Sequence, residues 1–291
     1  MKRSGFLLGT AALAVLPRYA RASSLQEALA DRIRRVPGTA GVYVRTMQSG
    51  PALFTYNTEE SFPAASTIKM LIMLTAFHRE ETAPGSLQAP VRLRSSDFVG
   101  GSPYLARASA GETYTVAQLV TPMITLSDNS AANALITHFG FDAINASARR
   151  AGLSNTYLRR HFLDYSAIVH HHENVTTAGD MGRLLFSLER GAREEITTVA
   201  HPMFCRRMVA IMLHQTDRDK IPAGLPAGTP VANKTGEVDG VRNDIAIVDP
   251  FGDSPFVLTV FTKNLSSYEL ARRAIAAIAS DVFNSVAGSN L

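Results

Sequence analysis

Apolar residues recur at helical spacing in some stretches and at alternate positions in others, and the two kinds of stretch occupy different parts of the chain. Leu25, Ala28, Leu29 and Ile33 fall on one face of a helix over 24–35, which Pro37-Gly38 ends. Two short strands follow at 40–46 and 52–56, joined by the turn residues Gln48-Ser49-Gly50-Pro51. From Pro63 to Met212 the pattern is helical, with predicted helices over 66–79, 116–125, 130–138, 142–151, 177–189 and 202–213. Strand patterning returns at 231–237, 242–248 and 256–262, before a last helix over 267–286. Helices and strands at both ends around a helical block predict an α+β fold, one sheet drawn from the two termini with an all-α insertion. The expected division is residues 23–62 with 214–291 for the sheet domain and 63–213 for the all-α domain.

Residues 1–22 stand outside this pattern. Lys2 and Arg3 precede an apolar run from Gly5 to Leu16 that is too short for a stable anchor, and Ala20-Arg21-Ala22 is a small-x-small cleavage signal. Export follows, with a mature chain starting near Ser23, by the secretory route or, from the Lys2-Arg3-x-x-Phe6-Leu7 order, a twin-arginine-like one. The segment holds four positive residues and no acids. The mature chain thus keeps 29 less four, or 25, basic residues against 25 acidic ones. Its basic character belongs to the signal, and nothing argues for nucleic-acid binding. Hydrophobic content of 46% and charged content of 19% fit a compact enzyme. The lone Cys205 forbids an internal disulfide and reads as a buried small hydrophobe.

Candidate chemistry begins at Ser66-Thr67-Ile68-Lys69. One helical turn sets residues three apart on the same face, so a Lys69 amine can reach the Ser66 hydroxyl. A serine is a weak nucleophile until a neighbour takes its proton, and a lysine shielded from water near other cations can do so. Met70 to Leu74 make the following run apolar nearly all round, which buries this lysine. Downstream lie Ser127-Asp128-Asn129 and Lys234-Thr235-Gly236. Ser-x-x-Lys, Ser-Asp-Asn and Lys-Thr-Gly in this order are the motif set of class A β-lactamases and penicillin-binding proteins.

From Ser24 to the C-terminus the chain resembles a class A β-lactamase. The resemblance implies an antiparallel five-stranded sheet flanked by the terminal helices and a small-molecule β-lactam or cell-wall peptide as substrate, with no cofactor; separately, the absence of an obvious sticky surface predicts a monomer, the cleavable signal predicts no stable membrane anchor, and no metal is expected. It makes Ser66 the acylated nucleophile and Lys69 its proton acceptor. Ser127 would relay a proton to the leaving nitrogen, Asn129 would hold the substrate amide, and Lys234 with Thr235 would face the substrate carboxylate. The backbone N–H groups of Ser66 and of Glu237, just past Gly236, would form the oxyanion hole. Arg242, across a turn at Asp239-Gly240, is either a second carboxylate anchor or an ordinary strand arginine.

Three departures qualify the resemblance. The loop glutamate that activates the deacylating water falls on Phe162, its partner asparagine on Ser166, and the aspartate that pairs with the loop arginine on Val175. Candidates for a replacement base are His161 and Asp164, or a histidine of His170-His171-His172; three adjacent histidines diverge too far to ligate one ion. Glu237 points the same way along its strand as Thr235 and should repel a substrate carboxylate unless Arg242 neutralises it. Gly100-Gly101 occupies a stretch where the family often has an aromatic wall, which predicts a more open pocket. Three functions remain open: a β-lactamase, a D-Ala-D-Ala peptidase or esterase using the same acyl-enzyme, and a non-hydrolytic penicillin-binding sensor.

Overall fold

The computed structural model describes residues 16–287. Most of the expected signal, residues 1–22, lies outside the described residues. The elements in chain order are helix α1 (Leu16–Arg34), strands β1 (Thr39–Thr46), β2 (Phe54–Tyr56) and β3 (Phe62–Pro63), and helix α2 (Lys69–Thr82). Strands β4 (Pro90–Arg92) and β5 (Thr113–Thr115) come next, followed by helices α3 (Val116–Thr125), α4 (Asn129–Phe139), α5 (Phe141–Arg150) and α6 (Tyr165–Val169). Strand β6 (Val175–Thr176) and helices α7 (Ala178–Glu194) and α8 (Pro202–Leu213) lead to strands β7 (Val231–Val238), β8 (Val241–Val248) and β9 (Phe256–Lys263) and to helix α9 (Tyr268–Ala287).

The main sheet is antiparallel and five-stranded, in the order β2-β1-β9-β8-β7. Its two faces bury different sets of side chains, as alternation along each strand requires. Val42, Val44, Ala246, Val248, Leu258 and Val260 face Leu29 of α1 and Ile275, Ile278 and Val282 of α9. Tyr43, Ile245, Ile247, Val257 and Phe261 face the helical block, whose core runs through Leu71, Met73, Leu119, Leu135 and Leu185. Covered on both faces, β9 is buried along nearly its whole length. Among the described residues, no helix is long and apolar enough to cross a membrane.

The expected elements recur within a few residues at their ends, with three differences of kind. The segment predicted as one helix over 66–79 opens as a 3-10 turn, Ala65–Ile68, and becomes α-helical only at Lys69. The second strand shrinks from 52–56 to Phe54–Tyr56. The short pairs β3–β6 and β4–β5 and the five-residue α6 are too brief to carry a periodic signal.

Candidate active site

Ser66 sits where the 3-10 turn meets the edge strand β7. Ala65, just before it, is buried with φ +47°, a left-handed backbone that alanine adopts only under constraint. The constraint comes from both sides: the Ala64 carbonyl accepts the Thr67 hydroxyl at 2.6 Å, and the Pro63 carbonyl accepts the Asn243 amide of β8 at 2.9 Å. A Cβ at Gly236 would lie 2.9 Å from the Ala64 oxygen and 3.0 Å from the Ser66 nitrogen. The glycine of Lys-Thr-Gly therefore lets β7 approach the nucleophile, which brings the Glu237 backbone beside it.

Lys69 and Lys234 are both fully buried. Lys69 Nζ donates to the Ser127 carbonyl at 2.6 Å, the Ser127 hydroxyl at 3.2 Å and Asn129 Oδ1 at 2.7 Å. Lys234 Nζ donates to the same hydroxyl at 3.0 Å and to the Thr235 carbonyl at 2.7 Å. Ser127 Oγ thus bridges two amines, and Ser127 itself takes φ +56° to present it. Burial first, and then the charge of Lys234, press the Lys69 ammonium well below its usual range, with Asp128 opposing. Burial likewise brings Lys234 down to about 7 against the pull of Asp217 and Asp244. Neutral amines linked through a hydroxyl can take the proton of Ser66 and return one to a leaving nitrogen. The expected contact from Lys69 to Ser66 is the one that differs: among the described residues the Ser66 hydroxyl makes no hydrogen bond, and Lys69 is turned to Ser127 and Asn129 instead.

Asp128 fixes the Ser-Asp-Asn turn. Fully buried, it caps α4 by accepting from Ala131 N at 2.8 Å and also accepts from Tyr104 N at 2.9 Å and Leu105 N at 3.1 Å. Asn129 Nδ2 donates to the Gly100 carbonyl at 2.9 Å, and a Cβ on Gly101 would meet that nitrogen at 2.7 Å. At Gly100-Gly101 the chain lies directly on Asn129.

Phe162 is buried, with its ring centroid 4.4 Å from Lys69 Nζ. Asn133 grips its backbone from both sides, accepting from Phe162 N at 2.8 Å and donating to Phe162 O at 3.3 Å. An apolar ring thus stands beside the amine where the resemblance places a carboxylate. His161 and Asp164 line a cavity of about 540 Å³ that includes Phe162 but neither Ser66 nor Lys69. His161 Nε2 lies 3.3 Å from the Thr137 hydroxyl, and Asp164 caps α6 by accepting from Ala167 N at 3.0 Å. The structure does not bring these two candidate bases to the nucleophile. His170 is exposed and turned to its own helix, its Nδ1 2.8 Å from the Ser166 carbonyl.

The loop arginine has a carboxylate after all. Arg160 pairs with Glu173 at 2.6 Å and 3.1 Å, two residues before the position where the resemblance expects an aspartate. Asn174 braces the same turn, accepting from Arg159 N at 2.7 Å and Arg160 N at 3.1 Å.

At the other end of the site the structure adds residues that the sequence reading missed. Glu237 and Thr235 do lie on one side of β7, but Glu237 is not bare: Oε1 accepts from Lys220 Nζ at 2.8 Å, and Oε2 is 3.6 Å from Arg242 Nε. Lys220, fully buried, also donates to Asp219 at 2.5 Å and Asp217 at 3.0 Å. Burial opposes its charge, but these acids outweigh burial and hold its pKa above the ordinary range. Burial also works to raise the Asp217 carboxyl, yet Asp219 and the Lys220 ammonium bring it to about 2. Asp217, Asp219 and Glu237 have the spacing of a metal site, and the Lys220 ammonium stands among them. Arg242 turns back on its own hairpin, donating to Val238 O at 3.0 Å and Val241 O at 2.7 Å, and stacks 3.8 Å over Tyr268. Asp217-Arg218-Asp219-Lys220 falls between predicted elements, so only its charge density marked it in the sequence.

An antiparallel sheet packed against a helical block, with two buried lysines joined through Ser127 at the seam, is the arrangement of the penicillin-recognising serine hydrolases. Residues 24–286 match the model of the β-lactamase enzyme family, and the chain belongs to that family. Among its relatives, β-lactamase CTX-M-8 of Citrobacter amalonaticus is 31% identical over 283 residues, 94% of each chain. The carbapenem-hydrolyzing β-lactamase KPC of Klebsiella oxytoca is 30% identical over 246 residues, 83% of this chain and 82% of the relative. Among solved structures, PBP-A aligns with a TM-score of 0.80 and 26% identity, covering 92% of this chain and 97% of that one. A leucine-to-glutamate mutant of PBP-A, solved as an acyl-enzyme complex with penicillin G, aligns equally well.

Proposed function

We propose that the chain is an exported serine hydrolase of the class A β-lactamase type that is acylated at Ser66 by β-lactams or cell-wall peptides and releases the acyl group slowly. The observation that carries this reading is the Phe162 ring packed 4.4 Å from Lys69 Nζ. Acylation needs only Ser66, one turn before Lys69, together with Lys69, Ser127 and Lys234, whose polar atoms converge; deacylation also needs a base for water, and a phenyl ring neither orients nor deprotonates water. Family membership at about 30% identity to β-lactamases supports the hydrolase class. The likeness to PBP-A, a leucine-to-glutamate mutant of which holds penicillin G as an acyl-enzyme, supports acylation by a penicillin. The basic start, short apolar run and small-x-small site of residues 1–22 support export. A chromogenic cephalosporin tests the reading: one equivalent of colour per chain is released in a burst, followed by a far slower phase. Steady turnover with no burst contradicts it.

A further inference from the structure

Asp128, Asn129 and Ser130, at the start of α4, hold the segment 99–105 along its length. Asp128 accepts from the backbone N–H groups of Tyr104 and Leu105. Asn129 donates its backbone N–H to the Gly101 carbonyl at 3.1 Å and its Nδ2 to the Gly100 carbonyl at 2.9 Å. Ser130 works through its hydroxyl, and its partner is Ser102. The Ser130 N–H donates to Ser102 Oγ at 2.9 Å, the Val99 N–H donates to Ser130 Oγ at 3.0 Å, and Ser102 Oγ donates to the Val99 carbonyl at 2.8 Å. A hydroxyl has one proton to give. With the Ser102 proton on Val99, the Ser130 proton goes to Ser102 Oγ at 2.7 Å in preference to the Val99 carbonyl at 3.3 Å. The ring of bonds is then closed, each hydroxyl serving as donor and acceptor. Ser130 is buried, so water does not replace a bond lost there.

This ring fixes the place of the Gly100 carbonyl. Between the anchored Val99 and Ser102 stand only Gly100 and Gly101, the latter at φ +67°, and glycine brings the greatest backbone freedom of any residue. The Gly100 carbonyl and Lys69 take opposite ends of the Asn129 amide: Nδ2 donates to the carbonyl, and Oδ1 accepts from Lys69 Nζ at 2.7 Å. The direction of the amide is set from both ends. Among the described residues its second N–H has no partner, which leaves it for a ligand.

We propose that Ser102 and Ser130 are positioning residues for acylation: their paired hydroxyls hold the Gly100 carbonyl against Asn129 and so orient the amide N–H that receives the substrate's side-chain amide. The inference rests on the acyl-enzyme reading of Ser66 given above and adds two residues that no motif marks.

The test is a double-mutant cycle on the mature protein, with acylation by penicillin G followed by intact-protein mass spectrometry. Ser102→Ala slows acylation about tenfold, the scale of one lost hydrogen bond, and Ser102→Thr, which keeps the hydroxyl, stays within about twofold of the unaltered chain. In an Asn129→Ala background Ser102→Ala changes the rate by less than about twofold, because the group it positions is gone. Penicillanic acid, which has the lactam but no side-chain amide, gives the same separation with Asn129 in place: Ser102→Ala changes its rate by less than about twofold. Ser130→Ala follows Ser102→Ala throughout, so either variant can be read if the other does not fold. A serine substitution that slows both lactams equally, and equally in both backgrounds, marks a merely structural role and overturns the inference, as does an unchanged rate with penicillin G. Both results leave the acyl-enzyme reading standing. No adduct on Ser66 of the unaltered protein overturns that reading and this inference with it.

Discussion

Ser66, Lys69, Ser127 and Lys234 stand on a helix start, a helix-to-helix turn and a sheet strand, and their positions follow from backbone packing such as the contact at Gly236. The facing segment, residues 159–176, is held differently: Arg160 to Glu173, Asn174 to the backbone of Arg159 and Arg160, Asn133 to both sides of Phe162. These side-chain bonds shape the loop without involving the Phe162 side chain. The frame that presents residue 162 can persist while the residue it presents changes from an acid to a ring. On the proposed reading, acylation and deacylation draw on supports of different kinds, which makes them separable in this fold.

That comparison is broken most severely at the nucleophile. Ser66→Ala loses covalent labelling by a fluorescent penicillin, by about 1,000-fold or more; labelling at an unchanged rate would remove the acylation side altogether. Phe162→Glu, which leaves the Asn133 clamp on the backbone, shortens the acyl-enzyme lifetime by about 100-fold, the scale of a restored general base. An unchanged lifetime would mean that the loop does more than fill space. The pH dependence of acylation sharpens the account further. Lys69 acts in its neutral form, and its pKa is pushed down by burial and by Lys234, so the rate rises with pH and levels off clearly below 10.5. A rise still continuing at 10.5 would contradict a buried proton acceptor. The smallest effect belongs to the loop frame. Glu173→Ala strands Arg160, whose side chain is only 6% exposed, and lowers thermal stability by about 2 kcal/mol while leaving the acylation rate nearly unchanged.

What was legible in the sequence tracks the same division. The helices and the three C-terminal strands repeat their apolar residues often enough to be read, and α3 spans the expected 116–125. The three motifs name Lys69, Ser127, Asn129 and Lys234, which converge, because each motif is a short stretch of neighbouring residues. The orientation of Lys69 toward Ser127 was not legible, since it depends on a turn 58 residues away. Nor was the Lys220 cage: a lysine amid aspartates looks like any solvated run until β7 brings Glu237 against it. The resemblance places the loop arginine's partner at Val175 because motif alignment fixes a position, whereas an ion pair requires only that a carboxylate arrive. Glu173 meets that requirement by folding back on Asn174, whose backbone N–H it accepts at 2.8 Å.

The most direct measurement is the lifetime of the acyl-enzyme in the unaltered mature protein, read by intact-protein mass spectrometry from seconds to hours after a penicillin pulse. The account predicts an adduct of one penicillin per chain, absent in Ser66→Ala, that outlasts the adduct of Phe162→Glu by about 100-fold. An adduct that forms on Ser66 and decays as fast in the unaltered protein as in Phe162→Glu would contradict it.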